Sequence, residues 1–173
     1  MAQAEIVSRA PEETRGLGAR LGTMLQRGDV LALVGPLGAG KTTLVQGIAE
    51  GAGCSGRVRS PSFTLVNEYS SPRGNLYHLD LFRLDSTAEA EEAGLHEFIP
   101  GDGIAVVEWA EKAGDLLPRE YLEICLQMGS GEAERLITLT AHGERYCHLL
   151  AALTVRAGGG PGKRGRCGRA EGC

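Results

Sequence analysis

Gly35-Pro36-Leu37-Gly38-Ala39-Gly40-Lys41-Thr42 reads GPLGAGKT, which has the form G-x-x-x-x-G-K-[ST] of a phosphate-binding loop. Directly before it stands the apolar run Val30-Leu31-Ala32-Leu33-Val34, as a buried parallel strand would. Directly after it Thr43-Leu44-Val45-Gln46-Gly47-Ile48-Ala49 suits a helix that ends near Gly51-Ala52-Gly53. That strand–loop–helix setting separates the motif from a Gly-rich turn with an exposed lysine. Gly35, Gly38 and Gly40 let the backbone turn its N–H groups inward, and the helix start adds the positive end of its dipole. The stretch Gly35 to Thr43 is thus expected to hold a nucleoside triphosphate. Lys41 would reach the β- and γ-phosphates, and the Thr42 hydroxyl would serve a Mg²⁺ ion.

The chain has 173 residues, enough for one domain with a proper core. Its longest apolar runs fall far below the roughly 20 residues of a membrane span, and MAQAEIVSRAPEET at the start has no apolar signal region. Five scattered cysteines (Cys54, Cys125, Cys147, Cys167, Cys173) form no C-x-x-C pair, a pattern that fits reduced thiols and a cytoplasmic protein without a membrane contact. The net charge of −4 is unevenly spread. Residues 156–173 carry a net +4, with five basic side chains and one acid, so the preceding part carries −8. A body that acidic is a poor binder of a polyphosphate backbone, so any nucleic acid would be gripped mainly by a partner.

Around the loop, Glu5 to Ser8 reads as a short strand. Pro11 opens a helix that carries Leu17, Leu21, Met24 and Leu25 on one face and stops at Gly28-Asp29. Val58 to Tyr69 begins as a Pro-containing loop and continues as a strand, which pairs with Leu76 to Leu81 across the turn Ser71 to Asn75. Ala88 to Ile99 suits an acidic helix, and Ile104 to Trp109 a buried strand. Tyr121 to Met128 and Leu136 to Thr140 read as a hairpin, and Glu144 to Leu153 as a last helix. Strands alternate with helices at first and turn into hairpins later. We expect a three-layer P-loop α/β fold whose mostly parallel sheet is extended by antiparallel hairpin strands. Residues 1–154 would form the domain, and the Gly- and Arg-rich stretch 155–173, poor in apolar side chains, a disordered tail.

Hydrolysis needs carboxylates near the metal and the attacking water, commonly at the end of a neighbouring strand. Glu108 closes Ile104-Ala105-Val106-Val107 in the manner of a Walker-B acid, and Asp80 closes Leu76-Tyr77-His78-Leu79, where it is either a second such acid or the alternate polar position of a half-exposed strand. Ser60, Ser62 and Thr64 lie either in an ordinary Ser-Pro turn or in a loop able to close over the γ-phosphate and complete a Mg²⁺ shell. His78 is either a proton carrier or a hydrogen-bonded structural residue, and Trp109 either flanks the nucleotide or fills the core. No N-K-x-D stretch occurs, which argues against a GTPase. Arg57, Arg59, Arg73 and Arg83 are equivalent as possible arginine fingers.

Together GPLGAGKTT, SPSFTLVNEY, HLDLFRL and VVEWAE, in this order and spacing, resemble the bacterial TsaE (YjeE) family over about residues 6–153. The resemblance implies a small cytoplasmic ATPase that works with TsaD and TsaB in making threonylcarbamoyladenosine beside the tRNA anticodon, and so meets tRNA only through that complex. By the same resemblance Lys41 and Thr42 contact phosphate and Mg²⁺, Asp80 and Glu108 lie near the metal, and Trp109 lies beside the nucleotide. Thr14 matches the threonine that starts the first helix near the adenine. Ser62 replaces the family's usual threonine and keeps a hydroxyl, whereas Phe82 replaces a common tyrosine and loses one. Two other function classes share the loop. A small-molecule kinase would add an acceptor pocket and an Arg-bearing lid, and a nucleotide-gated binding module would lack useful hydrolysis.

Overall fold

In the computed structural model, which describes residues 2–155, seven strands form one sheet in the order β1-β7-β6-β2-β5-β4-β3. They are β1 (Ala2–Ser8), β2 (Val30–Val34), β3 (Val66–Tyr69), β4 (Leu76–Asp80), β5 (Ile104–Glu108), β6 (Tyr121–Met128) and β7 (Arg135–His142). The helices are α1 (Pro11–Gly22), α2 (Lys41–Ala52), α3 (Thr87–Glu92) and α4 (Glu144–Val155). The pairings β6-β2, β2-β5 and β5-β4 are parallel. Antiparallel β3 closes one edge, and the β6-β7 hairpin followed by β1 extends the other. This is the expected parallel core with hairpin wings.

Burial explains the split. β2, β4 and β5 are VLALV, LYHLD and IAVVE, buried nearly throughout because helices cover both faces. Leu31 and Leu33 pack with Leu17, Leu21, Leu44, Ile48, Leu149 and Leu150 beneath α1, α2 and α4. On the opposite face Val30, Ala32, Leu79 and Val107 meet Ala90, Leu95 and Leu116, from α3 and the short 3₁₀ turns that follow it. The wing strands alternate instead: β6 buries Leu122, Ile124 and Leu126 and leaves the residues between them partly exposed. One face of the wing meets the core and the other faces solvent.

Several boundaries differ from the sequence expectation, most of them by a few residues at strand ends. α1 ends at Gly22, and Leu25 is buried from the turn that follows, not from the helix. The expected helix over residues 88–99 breaks after Glu92, where Gly94 takes a left-handed conformation and a 3₁₀ turn, Leu95–Glu97, follows. The break still buries Leu95 and Ile99 and leaves Phe98 partly buried. α4 extends past the expected Leu153 to Val155, and the tail expected over residues 155–173 otherwise lies outside the described residues.

Two devices seat the phosphate loop. Asp29, just before β2, accepts a forked pair of bonds from Arg145 of α4, at 3.1 Å from Nε and 2.7 Å from Nη2. The next residue, Val30, donates its N–H to the Tyr146 hydroxyl at 2.7 Å. Burial pushes that hydroxyl up to about 12. α1 then lies directly on α2 through glycines: a Cβ on Gly18 would stand 2.3 Å from the Leu44 carbonyl oxygen, and one on Gly47 2.0 Å from that of Arg15. Backbone meets backbone there, so the start of α1 is held beside the start of α2.

Gly47→Ala should therefore destabilise the protein by about 1–3 kcal/mol by prising the helices apart. Gly16→Ala, with nothing within 4 Å of the added methyl, should be neutral or stabilising by up to about 1 kcal/mol. Urea denaturation of the two variants checks the contrast, and equal effects would remove the close-approach explanation.

Candidate active site

β2, β5 and β4 run parallel, so their carboxyl ends lie side by side, where α/β sheets characteristically place their sites. The loop 35–40 leaves β2 and enters α2 at Lys41. Its first glycine is obligatory: Gly35 has φ 145°, and a Cβ there would stand 2.3 Å from the Leu126 carbonyl oxygen. The Lys41 ammonium is buried. It donates to the carbonyls of Gly35 at 2.6 Å and Pro36 at 2.9 Å, and lies 4.0 Å from the centre of the Trp109 ring. Burial lowers its pKa, and Glu108, Glu111 and Asp80 oppose that shift.

Register supplies the carboxylates. Asp80 and Glu108 are direct neighbours across β4 and β5, and both are buried. Glu108 Oε1 accepts from the Thr42 hydroxyl at 2.9 Å and meets His78 Nε2 at 2.8 Å. Asp80 Oδ2 accepts from the hydroxyls of Ser60 at 2.9 Å and Ser62 at 3.1 Å, and Oδ1 from the Phe82 N–H at 3.0 Å. Thr42, Glu108, Asp80 and Ser62 thus offer the hard oxygen donors that suit Mg²⁺. Among the described residues no three His, Cys, Asp or Glu side chains converge on a metal. A Mg²⁺ ion bound through one or two carboxylates, with phosphate and water completing its shell, needs no such cage.

The backbone marks the same place. Only Leu65 and Trp109 among the described non-glycine residues have positive φ, at 65° and 59°. Leu65 ends the Ser60–Thr64 loop and accepts the Asp80 N–H at 3.0 Å. Trp109 follows Glu108, and its ring lies 4.9 Å from that of Phe82. Left-handed backbone at bulky residues costs about 1–3 kcal/mol each and clusters at functional sites.

The other expected residues fall around this centre. Pro36, Leu37 and Gly38 form the exposed tip of the loop and Ala39 is buried beneath it, while Gly40 and Thr43 flank the start of α2. Thr14 is buried at the first turn of α1, with its hydroxyl 2.8 Å from that of Ser8 and its methyl 4.0 Å from where a Gly40 Cβ would stand. The half-exposed position weighed for Asp80 is not found: β4 is covered on both faces, so its acid is buried. Among the four arginines, Arg73 turns away to the Thr23 carbonyl, whereas the Arg83 guanidinium lies 4.3 Å from the centre of the exposed Phe63 ring at the Ser-Pro loop.

Arg135 escaped the sequence reading. From β7 its Nε donates to the Ala39 carbonyl at 3.2 Å and Nη2 to that of Gly38 at 3.3 Å. It holds the outward carbonyls of a loop whose N–H groups face inward. No local motif marks it, because its partners lie 96 and 97 positions away in the chain.

The threonylcarbamoyl adenosine biosynthesis protein TsaE family model matches residues 8–137. A tRNA threonylcarbamoyladenosine biosynthesis protein TsaE of Bacillus subtilis is 44% identical over 144 residues, covering 83% of this chain and 89% of that protein. One of Treponema pallidum is 38% identical over 122 residues, covering 70% and 90%. The crystal structure of Bacillus subtilis YdiB superposes with a TM-score of 0.78 at 38% identity, covering 90% of this chain and 97% of that one. Family model, relatives and fold agree, and the chain belongs to the TsaE family of tRNA threonylcarbamoyladenosine biosynthesis proteins.

Proposed function

We propose that this chain is a cytoplasmic, Mg²⁺-dependent ATPase that serves threonylcarbamoyl modification of tRNA together with TsaD and TsaB. The observation that carries this reading is the Thr42–Glu108 hydrogen bond. It joins the last residue of the phosphate loop to the acid of the neighbouring strand, the coupling that a hydrolytic P-loop needs. The backbone N–H groups of residues 35–42 other than Pro36 hold the phosphates, and Lys41 leaves its carbonyl partners for the β- and γ-phosphates. Thr42, Glu108, Asp80 and Ser62 hold Mg²⁺, which offsets phosphate charge when bound. Glu108 orients the attacking water. Thr14 and Trp109 border the nucleotide, one at the start of α1 and the other stacked near Lys41.

The kinase alternative has less support. A kinase usually carries a lid after its core, but here β5 leads through short 3₁₀ turns to the β6-β7 hairpin and α4. The acidic body supports a role in which partners grip the tRNA. No helix among the described residues is long and apolar enough to cross a membrane.

Lys41→Ala should abolish useful Mg-ATP binding. Charge-assisted contacts of this kind contribute about 1.5–3 kcal/mol each, about 10- to 150-fold in affinity. Titration calorimetry on the folded variant gives the answer, and unchanged affinity would refute the assignment.

The two acids should separate. Glu108→Ala should keep ATP bound while single-turnover hydrolysis falls about 100-fold or more. Asp80→Ala should instead weaken the Mg²⁺ dependence of binding. Equal loss of binding in both variants, with normal hydrolysis of whatever binds, would contradict the division.

The isolated chain should turn over slowly and accelerate on mixing with TsaD and TsaB. A cation supplied in trans adds about 10³–10⁵ in related systems, and among the described residues no arginine contacts the phosphate loop from its inner side. Phosphate release measured with and without the two partners tests this. Full turnover alone, unchanged by them, would favour a kinase or a free-standing ATPase.

A further inference from the structure

His78 lies in the middle of β4 and is completely buried. In register it faces Val106 on β5, and it lies two residues before Asp80, on the same face of the strand. That face packs beneath α2, where neighbouring positions are Leu76, Ile104 and Val106. A leucine would suit such a place. The imidazole instead brings a polar ring into the core, and Nδ1 has no hydrogen-bond partner among the described residues. Packing alone does not explain that cost. What the ring gains is the 2.8 Å contact from Nε2 to Glu108 Oε1, the same oxygen that receives the Thr42 hydroxyl at 2.9 Å.

We infer that His78 is a positioning residue for Glu108: it pins Oε1 from inside the sheet, leaving Oε2 turned toward the reacting centre. This rests on the reading of Glu108 as the group that orients the water. Thr42 alone cannot fix the carboxylate, because a single hydrogen bond leaves the carboxyl plane free to rotate about it. Two donors converging on one oxygen from different elements, β4 and α2, restrict that rotation. The imidazole is well suited because it is rigid and clamped by core side chains, so the position of Nε2 is set by the sheet. Outer-shell groups of this kind are commonly worth about 10- to 100-fold in activity without touching substrate. His78 therefore acts on the hydrolytic step through Glu108 and leaves ATP affinity to Lys41 and the loop amides.

The test is a set of variants of the full chain, read by Mg-ATP affinity and by single-turnover hydrolysis. His78→Leu removes the donor and keeps the bulk, and should slow hydrolysis about 10-fold or more with affinity changed less than about 2-fold. His78→Gln places an amide N–H near the position of Nε2 and should restore most of the rate. His78→Asn places it near Nδ1 and should not. Made on top of Glu108→Ala, His78→Leu should cause no further loss, because two groups acting through one another are not additive. Wild-type hydrolysis in His78→Leu, or an equal further loss in the Glu108→Ala background, would overturn the inference. If His78→Leu fails to fold, the Gln and Asn pair decides: equal rates refute the role, and Gln faster than Asn supports it. Glu108→Ala by itself separates the two readings. Should it hydrolyse normally, the reading of Glu108 as the water-orienting acid fails, and the present inference with it; should it be slow while His78→Leu is fast, only the present inference fails.

Discussion

Three charged side chains, Lys41, Asp80 and Glu108, are buried at one edge of a largely apolar sheet, and each needs a partner to be tolerated there. The fold supplies those partners from four directions. The carbonyls of the phosphate loop receive Lys41, α2 sends Thr42 to Glu108, β4 sends His78 to the same oxygen, and the Ser-Pro loop sends two hydroxyls to Asp80. With every partner internal, the site is a store of replaceable contacts. Under the proposed function, phosphate would compete with the Gly35 and Pro36 carbonyls for Lys41, and a hard cation with Ser60 and Ser62 for Asp80. Binding would therefore exchange one satisfied set for another and move the Ser-Pro loop as it does so.

The scaffold around this edge is correspondingly stiff. α1 and α2 touch through backbone at Gly18 and Gly47, which ties Thr14 to the mouth of the phosphate loop. Arg145 and Tyr146 hold the start of β2, and Arg135 reaches across from the hairpin to the carbonyls of Gly38 and Ala39. The antiparallel wing thus does more than widen the sheet, because it also holds the outer side of the loop. Against this rigid frame stands the segment from Ser60 to Leu65, with Phe63 exposed and Leu65 left-handed. Its hydrogen bonds to the site are two hydroxyl bonds and one backbone bond, all to Asp80, which makes it the part suited to respond to ligand.

Much of this could be read along the chain. The phosphate loop is legible because its chemistry is local: spacing of glycines, one lysine and one hydroxyl specify backbone geometry over eight consecutive positions. β2 and β5 announce themselves as continuous apolar runs, and β6 by alternation, since burial on two faces or on one writes a different period. The helix expected over residues 88–99 failed for an equally local reason. Gly94 adopts the left-handed conformation that ends a helix, and helical spacing of Leu95 and Ile99 hid the break.

The expectation of Lys41, Thr42 and Glu108 as a phosphate lysine, a metal hydroxyl and a strand-end acid comes from residue type and short spacing. So does the resemblance of the four motifs to one family. Tertiary structure alone assigns the alliances among them. Asp80 is buried on the face of β4 that it shares with His78, where the Ser-Pro loop closes over it, and whether His78 touches Glu108 depends on the parallel register of β4 with β5. Arg135 meets its partners only because the hairpin folds back beside β2. Such contacts join residues tens of positions apart, through a sheet order that no short-range pattern encodes. Local spacing specifies chemistry within a turn or a strand, and strand order and register decide which of those chemistries meet.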